Sequence, residues 1–568
     1  MKKYKAASPE ETVERIHQIM SKAGIPLKDQ IYGDGDMFCS YRLTISEDDN
    51  ASIGTNGKGM KASYAKASAY AEMMERFQNR VVIDPNPAHF GYSCVYFPDE
   101  KVIQLDNDQL CAYAKEFLPR TYPKGGITVD SFNCIFLPCF HVNTRTVRDI
   151  PYSIIRAVTS SNGMCAGNIP EEALIQGFNE IFERHCLQEL YLRRLTPPTI
   201  PDEFFDGTDI IERLRRLEAE YGLSHEIKDC SLGEGYPVIG LLLYNRDRSK
   251  YIVHLGADLS AVVALERCFT ETFQGHTADT LEFQNELEQT ENLDYFNEFK
   301  RSIVYGRGRL PEEFFSQIPS YTFTGHTTIK IGSNFREDFQ NICLWLEKKG
   351  FDIYIRDNSF MGFPAFHICV PELSDLDSRF CHLNPRIWEM KHTETVLSPL
   401  YHLLDVSEDQ ISIAIGLLEM MKKDVISMFP QNTNRNNSVN RLLVLMILYH
   451  RLGNKEKAIQ TLQSYIDQKV KEGKTVREYY LSILAYLKTD TPQDPDSKDS
   501  LIARSFVAHP EQALHSFALP DCFHCDRCEL KQGCRIELLK KIEDVTQRIM
   551  KENTVNQQNL ISLFDQVC

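Results

Sequence analysis

The chain has 568 residues, enough for two to four domains with a substantial core. Its apolar content of 42% and charged content of 25% are ordinary for a soluble globular protein. A net charge of −16 argues against broad binding to nucleic-acid phosphates, and the longest apolar stretches, such as 442–449, are too short to span a bilayer. Most of the 17 cysteines are scattered singly, which favours reduced thiols in the cytoplasm over a disulfide framework.

The first eighty residues predict a helix, short strands, a glycine-rich turn and a second helix. Ser8-Pro9-Glu10-Glu11 is a capping box with proline at the first helical position, so it predicts a helix over 9–23 and argues against a signal peptide. Alternating residues over 38–54 predict strands. The segment 55–59 (Thr-Asn-Gly-Lys-Gly) then leads into a helix over 61–80. It does not match a Walker phosphate loop. That loop requires Gly at the position of Ser52 and Ser or Thr at the position of Gly59. We therefore predict a simple turn.

Residues 81–385 predict a mixed α/β fold. The segment 81–150 is rich in Pro, Tyr and Phe with short apolar runs, which is typical of strands and loops. Val238–Tyr244 and Tyr251–Leu255 predict adjacent buried strands around a polar turn. Residues 328–370 predict strand, helix and strands in the order 328–331, 335–349, 351–356 and 366–370. We therefore assign residues 1–385 to one α/β domain.

Helical periodicity dominates after residue 385. Pieces such as 455–465 and 478–487 predict helix pairs that resemble tetratricopeptide hairpins. We assign residues 386–515 to an all-α domain of this type. Helical arrays of this kind bind partners or mediate self-association, so a homodimer through this domain is one interpretation and simple structural packing is the other.

A cysteine motif marks the last unit, residues 516–568. Cys522, Cys525, Cys528 and Cys534 lie within thirteen residues and predict a metal site, for which zinc and an iron–sulfur cluster both fit. The surrounding segment has little apolar content, and metal binding would supply its folding free energy. We predict that this metal site fixes a final helix, 536–551, to the helical domain and lies far from the carboxylate-rich helices described next.

Two helices with a similar arrangement of carboxylates are the most informative feature of the chain. The helix that begins at Pro170 carries, within a sector of about 120°, Glu172, Gln176, Glu180, Glu183 and Arg184. Residues 68–76 repeat the ending, with Glu72, Glu75 and Arg76. A solvated charged face is one interpretation, but the opposing Lys or Arg at i+4 is missing along most of the stripe. Because clustered carboxylates raise one another's pKa unless a cation lies among them, two copies predict a shared divalent-metal site.

These blocks resemble the YcaO family. The residues that carry the resemblance are Asn56-Gly57-Lys58-Gly59 with Glu72, Glu75 and Arg76, then Ser161-Asn162-Gly163 to Asn168 with Glu172, Gln176, Glu180, Glu183 and Arg184, and finally Ala264-Leu265-Glu266-Arg267 with Glu271. The resemblance implies an ATP-binding domain unrelated to Walker proteins. It further implies ATP-dependent phosphorylation of a backbone amide oxygen, which activates the carbonyl carbon for attack and yields an azoline, a thioamide or an amidine.

The resemblance also implies residue roles. The magnesium ligands would be Glu72, Glu75, Glu180, Glu183 and Glu271. The nucleotide contacts would be Asn168, Glu172, Gln176, Arg184 and Arg267, with Ser68 and Cys165 nearby and with Lys5 and Thr12 from the first helix. Cys165 would act through its backbone only. The catalytic set would be Glu180, Glu183, Arg184 and Arg267, in which the arginines offset charge on the phosphoryl group. For Arg267 and Glu271 a helical i,i+4 ion pair is the alternative.

One departure from the family concerns the product. Azoline-forming members tend to end in a proline-rich tail, whereas this chain ends at 563–568 with Leu-Phe-Asp-Gln-Val-Cys, and no leader-peptide-binding domain is evident. We therefore do not expect azole formation by the usual route. The layout is most similar to stand-alone enterobacterial members with a helical C-terminal domain, which are associated with ribosomal-protein methylthiolation as accessory factors.

Two functions follow from the resemblance. The first is an ATP- and magnesium-dependent enzyme that acts on a peptide or protein amide. The second is a nucleotide-binding accessory protein for a methylthiotransferase or another sulfur-transfer enzyme. A third class, a nucleic-acid binder that uses the cysteine motif as a zinc knuckle, is opposed by the acidic balance.

Overall fold

The structure, a computed structural model, describes residues 5–32, 38–45, 53–81, 97–119, 131–273, 281, 283, 285–287, 294–376, 406–421, 425–427, 438–476, 478–489 and 536–565. The α-helices are α1 (Pro9–Lys22), α2 (Ala62–Gln78), α3 (Asn107–Phe117), α4 (Tyr152–Thr159), α5 (Pro170–Arg193), α6 (Asp209–Tyr221), α7 (Ala261–Thr272), α8 (Tyr295–Tyr305), α9 (Phe335–Lys348), α10 (Glu408–Met420), α11 (Arg441–Arg451), α12 (Lys455–Lys471), α13 (Glu478–Thr489) and α14 (Ile536–Glu552). The strands are β1 (Lys28–Tyr32), β2 (Cys39–Ile45), β3 (Ile53–Gly59), β4 (Lys101–Asp106), β5 (Ser131–His141), β6 (Thr146–Ile150), β7 (Met164–Ala166), β8 (Thr199–Ile200), β9 (Ser224–Asp229), β10 (Val238–Tyr244), β11 (Lys250–Ala257), β12 (Asn285–Glu286), β13 (Tyr354–Asp357), β14 (Ala365–Cys369), β15 (Val425–Ser427) and β16 (Ser438–Asn440). Of the helices described, none is long and apolar enough to cross a membrane.

Three antiparallel sheets precede residue 376 and confirm the predicted α/β class. Their strand orders are β1-β2-β3, then β4-β5-β13-β14-β7 with β6 also paired to β5, and β12-β11-β10-β9-β8. The predicted pair β10 and β11 is confirmed, with Tyr244 opposite Tyr251. Strand β10 is buried along its whole length because the sheet is covered on both faces. The core that includes α5 covers one face, and α6 and α7 cover the other.

Helix α2 lies directly on strand β3, and glycine makes this approach possible. A Cβ on Gly57 would lie 2.0 Å from the carbonyl oxygen of Ala65 and 2.3 Å from the backbone nitrogen of Ala69. The prediction of a simple turn at 55–59 was therefore wrong. The segment pairs with β2 as a strand, and its glycines serve the helix contact and not a bend.

Two further predictions about local structure need correction. The residues 328–331 form no strand in the described structure, because Thr328 donates one backbone hydrogen bond to Gly235 without a ladder around it. Helix α3 lies within 81–150, for which we predicted strands and loops. For α3 a usable signature was present, since Asp106 and Gln109 form a capping box.

The C-terminal region is mainly helical, as predicted, but not all-α. Helices α12 and α13 confirm the periodicity at 455–465 and 478–487, and successive helices pack against one another. However, β15 and β16 form a two-stranded ribbon that contains the β-branched residues Val425, Ile426 and Val439. These helices do not establish tetratricopeptide repeats. The boundaries at 385 and 515 lie outside the described residues and stay predictions.

The terminal segment contacts the α/β part of the chain. Arg80 forms a buried ion pair with Glu543, Asn553 donates to the carbonyl of Phe360, and Gln557 binds the backbone of Asp357. The final helix itself is confirmed, and its buried Ile542 and Met550 belong to the same apolar cluster as residues of α11, α12 and α13. In addition, α14 carries a carboxylate that neutralises a buried arginine at the end of α2. Cys522, Cys525, Cys528 and Cys534 lie outside the described residues, so their metal site stays a prediction.

We predict that Gly57→Ala lowers the free energy of unfolding by about 1–3 kcal/mol, because the added methyl group would overpack the contact between β3 and α2. Thermal denaturation measures the effect. Gly416→Ala is the matched control, since Gly416 lies in α10 with no atom within 4 Å of its Cβ position. That variant should be neutral or more stable, by up to about 1 kcal/mol. Equal melting temperatures for wild type and Gly57→Ala would contradict the close packing.

Candidate functional site

Three helices and one strand bring charged side chains together. Helix α2 packs on β3, α5 packs on β11, and α7 packs on both of these strands. Lys58 extends from β3 and forms an ion pair with Glu271 of α7. Burial lowers the pKa of Lys58 to about 8, against the opposing effects of Glu183 on α5 and Glu72 on α2. Carboxylates from α2, α5 and α7 therefore surround a single ammonium group.

The two predicted carboxylate pairs face each other across α2 and α5. Burial raises the pKa of Glu75 well above its ordinary value, and Glu180 and Glu72 raise it further, whereas Arg76 opposes the shift. Arg76 lies 3.5 Å from a carboxylate oxygen of Glu72 and 3.7 Å from one of Glu75. Since Glu180 of α5 contributes to the raised pKa of Glu75 of α2, the fold brings the two separate motifs into one region.

Helix α5 adds two further carboxylates and an arginine. Burial raises the pKa of Glu180 and of Glu183, and Arg184 opposes both shifts. Arg184 lies 3.8 Å from Glu180 and also donates to the backbone carbonyl of Ile303 at 3.3 Å. These contacts hold the guanidinium beside the carboxylates.

Arg267 lies on the α7 side of the same site. It donates a hydrogen bond to the side-chain oxygen of Gln176 and lies 3.7 Å from a carboxylate oxygen of Asp258. Two partners on different elements fix its position. The i,i+4 neighbour Glu271 pairs with Lys58, so the alternative of a helical ion pair between Arg267 and Glu271 is not the contact described.

The first helix contributes to the other end of α5. The hydroxyl of Thr12 donates to Asn168 at 3.0 Å, and the backbone nitrogen of Asn168 donates to Glu172 at 3.0 Å. Lys5 lies 3.5 Å from Glu172. Arg15 donates to the carbonyl oxygen of Asn168 at 2.9 Å. The structure thus brings together four of the residues predicted to bind nucleotide, which are Lys5, Thr12, Asn168 and Glu172.

Ser68 and Cys165 differ in whether their side chains can reach a bound nucleotide. Ser68 is half-buried and lies one turn before Glu72 on the same helix face. Cys165 is fully buried, its thiol donates to the carbonyl of Phe366, and it packs against Gly177. Burial raises the pKa of this thiol well above its ordinary value. Only the backbone of Cys165 can therefore contribute to a binding site, as the sequence led us to expect.

Sequence reasoning assigned no role to several residues that the structure places at this site. They are Lys58, Arg76, Asp258 and Arg15. Lys58 and Arg76 stood inside the motifs that carried the resemblance, which was a usable indication. Asp258 and Arg15 are recognisable only from the fold, because each acts through a contact with a distant residue.

The residues fit a magnesium ion together with an anionic phosphate chain. Within the described part of the chain, no three His, Cys, Asp or Glu side chains converge closely enough to hold a metal ion by themselves. Instead Lys58, Arg76 and Arg184 neutralise the carboxylates. The donors are hard oxygen atoms, which magnesium prefers. The raised pKa values show that the carboxylate cluster gains from added positive charge.

We predict that Glu75→Gln stabilises the ligand-free protein at pH 7.5, by on the order of 2 °C in melting temperature. The raised pKa of Glu75 means that the folded state favours the protonated form, so ionisation costs stability above the raised pKa. Below the ordinary value of 4.5 this cost disappears, and the gain should shrink as the pH falls towards that value. Calorimetric melting at several pH values measures it, with Glu218→Gln on the exposed face of α6 as control. A lower melting temperature of Glu75→Gln at pH 7.5 would contradict this account.

Comparisons with known proteins place most of the chain in one family. Residues 56–374, more than half of the chain, match the family described as "YcaO cyclodehydratase, ATP- and Mg2+-binding". The ribosomal protein S12 methylthiotransferase accessory factor YcaO of Escherichia coli K12 is 27% identical over 395 residues, 66% of each protein. An uncharacterized protein of Methanothermobacter thermautotrophicus is 24% identical over 371 residues, 64% of this chain and 89% of that protein. The chain thus aligns with just under two thirds of the E. coli protein.

Solved structures give weaker likenesses. A heterocyclase in complex with substrate and cofactor is 18% identical with a TM-score of 0.47, over 65% of this chain and 53% of that one. YcaO from Methanopyrus kandleri, bound with AMPPCP and Mg2+, is 16% identical with a TM-score of 0.43, over 65% and 92%. Both TM-scores lie below 0.5, so the assignment of the chain to a family rests on the match of residues 56–374 to the family sequence model.

Proposed function

The chain belongs to the YcaO family, and we propose that it uses ATP and magnesium to activate a backbone amide of a peptide or protein for modification. One observation carries the proposal. Carboxylates from α2, α5 and α7 cluster with Lys58, Arg184 and Arg267 in a family whose description includes ATP and magnesium binding. A site with many hard oxygen donors and several fixed cations suits a metal–triphosphate complex.

The residue roles are part of the proposal. Magnesium would be held by Glu72, Glu75, Glu180, Glu183 and Glu271. The nucleotide would be bound by Lys5, Thr12, Asn168, Glu172, Gln176, Arg184 and Arg267, with Ser68 and the backbone of Cys165 beside it. When bound, ATP with magnesium supplies a phosphoryl group that turns an amide oxygen into a leaving group.

Arg184 and Arg267 would offset the charge that develops during phosphoryl transfer. Each guanidinium already has a protein partner, Ile303 for Arg184, and Gln176 with Asp258 for Arg267. Preorganised cations of this kind need little rearrangement in the transition state, which is why they accelerate transfer. Glu180 and Glu183 would act beside them by holding the metal.

We predict that Arg267→Lys lowers the rate of phosphate release from ATP about 100-fold or more, with a smaller loss of ATP affinity. A lysine cannot contact Gln176 and Asp258 at once with the same planar geometry. Steady-state phosphate release and calorimetric ATP titration measure the two quantities. Arg216→Lys, at an exposed ion pair on α6, is the control. A purely structural Arg267 would instead give equal losses in both quantities, or none.

An oxygen-18 experiment tests the proposed function. A mixture of synthetic peptides with labelled backbone carbonyls is incubated with ATP, magnesium and the protein, and the released phosphate is analysed by mass spectrometry. Peptide-dependent release of ADP with label in the phosphate is expected, because a nucleophile such as a peptide thiol, an added amine or water bonds to the activated carbonyl carbon while its C–O bond breaks, and the labelled oxygen leaves with the phosphoryl group. Phosphate without label under peptide-dependent turnover would exclude amide activation.

Binding is tested separately. We predict that ATP binds wild type in the presence of magnesium and that Glu180→Gln weakens this binding, because one carboxylate is lost from the metal position. Glu218→Gln should bind as wild type does. The same affinity for wild type and Glu180→Gln, with and without magnesium, would contradict the assignment.

An accessory role is the second candidate. Its supporting observation is the name of the E. coli relative, an accessory factor for ribosomal protein S12 methylthiotransferase. In that case nucleotide would bind without label transfer, and the partner would be a methylthiotransferase or another sulfur-transfer enzyme. Buried cysteines of the described residues, among them Cys134, Cys139 and Cys165, are free thiols, which supports a reducing compartment such as the cytoplasm. A homodimer through the helical region stays a prediction.

A further inference from the structure

The carboxylate helix α2 ends in an unusual way. Asn79 is its C-cap, and the next residue, Arg80, adopts the left-handed conformation with φ of 62°. This position follows the C-cap and is usually glycine, because a side chain there is strained. The backbone forms the expected capping bonds, from Val81 to the carbonyl of Arg76 and from Arg80 to the carbonyl of Phe77. An arginine is thus retained where the backbone alone would favour glycine.

The side chain of Arg80 accounts for its presence. It is only 1% exposed and donates to both carboxylate oxygens of Glu543, at 2.6 and 2.8 Å. Glu543 lies on α14 and is 8% exposed. Both bonds come from a single guanidinium nitrogen, Nη2, so the two carboxylate oxygens share one donor atom. A buried ion pair of this kind is held firmly, because loss of either partner leaves an uncompensated charge. It joins the end of α2 to a helix 463 residues later in the chain.

A second set of bonds links the same two elements through the loop 357–363. On the α2 side, Gln78 donates to the carbonyl of Phe363 at 2.9 Å, and Asn358 donates to Asn79 at 2.8 Å. Asn79 in turn donates to the carbonyl of Glu75, one of the site carboxylates. The backbone of Met361 donates to Gln78 at 2.8 Å.

On the α14 side, the terminal segment holds the same loop. Asn553 donates to the carbonyl of Phe360 at 3.1 Å. Gln557 accepts from the backbone nitrogen of Asp357 at 2.7 Å and donates to its carbonyl at 2.9 Å. The loop is therefore bonded to both elements, and the backbone of Glu75 and Arg76 is fixed within this network.

We propose that α14 is a clamp that sets the position of α2, with Arg80 and Glu543 as the positioning pair that couples the terminal segment to the nucleotide site. The effect on nucleotide rests on the proposed function, whereas the coupling of the two helices does not. By reciprocity, a ligand that favours the clamped position of α2 also holds α14 more firmly.

Two variants and one control test the clamp. Arg80→Gly keeps the favoured backbone of the helix end and removes the ion pair, and Glu543→Gln removes the charge on the other side. Arg194→Gly is the control, because Arg194 is also a left-handed arginine that ends a helix, but it is exposed and pairs with Glu313 at 3.4 Å. Titration calorimetry with magnesium and ATP is combined with hydrogen exchange of residues 62–81 and 541–552.

We expect both clamp variants to weaken magnesium–ATP binding about tenfold and to accelerate exchange in the last turn of α2 as well as in α14. In wild type, magnesium–ATP should slow exchange of α14, and in the variants it should not. Arg194→Gly should leave both measurements unchanged. Faster exchange in α14 with unchanged α2 exchange and unchanged affinity would overturn the clamp.

The outcomes separate this inference from the proposed function. If wild type binds no magnesium–ATP, the proposed function fails, yet the exchange of α2 in ligand-free Glu543→Gln still decides whether the helices are coupled. If the clamp variants do not fold, Asn553→Ala removes only the hydrogen bond to Phe360 and should shift exchange of α2 in the same direction by less. No change of α2 exchange in that variant would then overturn the clamp.

Discussion

Carboxylates that repel one another are held in a partly desolvated space, and the surrounding structure must compensate for that repulsion. Burial first, and then the neighbouring carboxylates, raise the pKa of Glu75, Glu180 and Glu183, so each carboxylate is costly to ionise in this position. Neighbouring arginines, among them Arg76 and Arg184, form ion pairs with these carboxylates and offset part of this cost. The remaining cost is the reason why the site gains from a divalent ion.

The scaffold that opposes this repulsion consists of helices packed closely on strands. Gly57 lets α2 lie on β3, and Gly177 lets α5 lie against Cys165 of β7, because neither contact has room for a Cβ. Extensive apolar cores then fix these elements, with α5 buried between two sheets. Since interiors of this density do not deform gradually, the carboxylates cannot simply move apart. The favourable free energy of core packing offsets the unfavourable electrostatics of the site.

Much of this arrangement was readable from the sequence because it is local. Helix α5 begins at Pro170 as predicted, and the stripe from Glu172 to Arg184 follows from helix geometry alone. The convergence of α2 and α5 was inferred from a repeated motif, and the structure confirms it through the coupling of Glu75 to Glu180. By contrast, the strand identity of 55–59 was missed, because glycine-rich sequence favours a turn unless a tertiary contact requires the small residue. The roles of Lys58 and Asp258 depend on partners from other elements, which no local pattern encodes.

The pair of Arg80 and Glu543 shows why long-range positioning escapes sequence reasoning. An arginine after a helix end and a glutamate in a charged amphipathic helix are each unremarkable in isolation, since both residue types are usually exposed there. Only the fold shows that both are buried and that each neutralises the other. Their burial carries a desolvation cost that an apolar contact would not, so stability alone does not explain the pair. In the proposed clamp the pair acts through position: a buried charge must stay beside its partner, and this requirement keeps α14 next to the end of the helix that carries Glu72 and Glu75. A site of mutually repelling carboxylates needs such external positioning, because its own electrostatics push those residues apart.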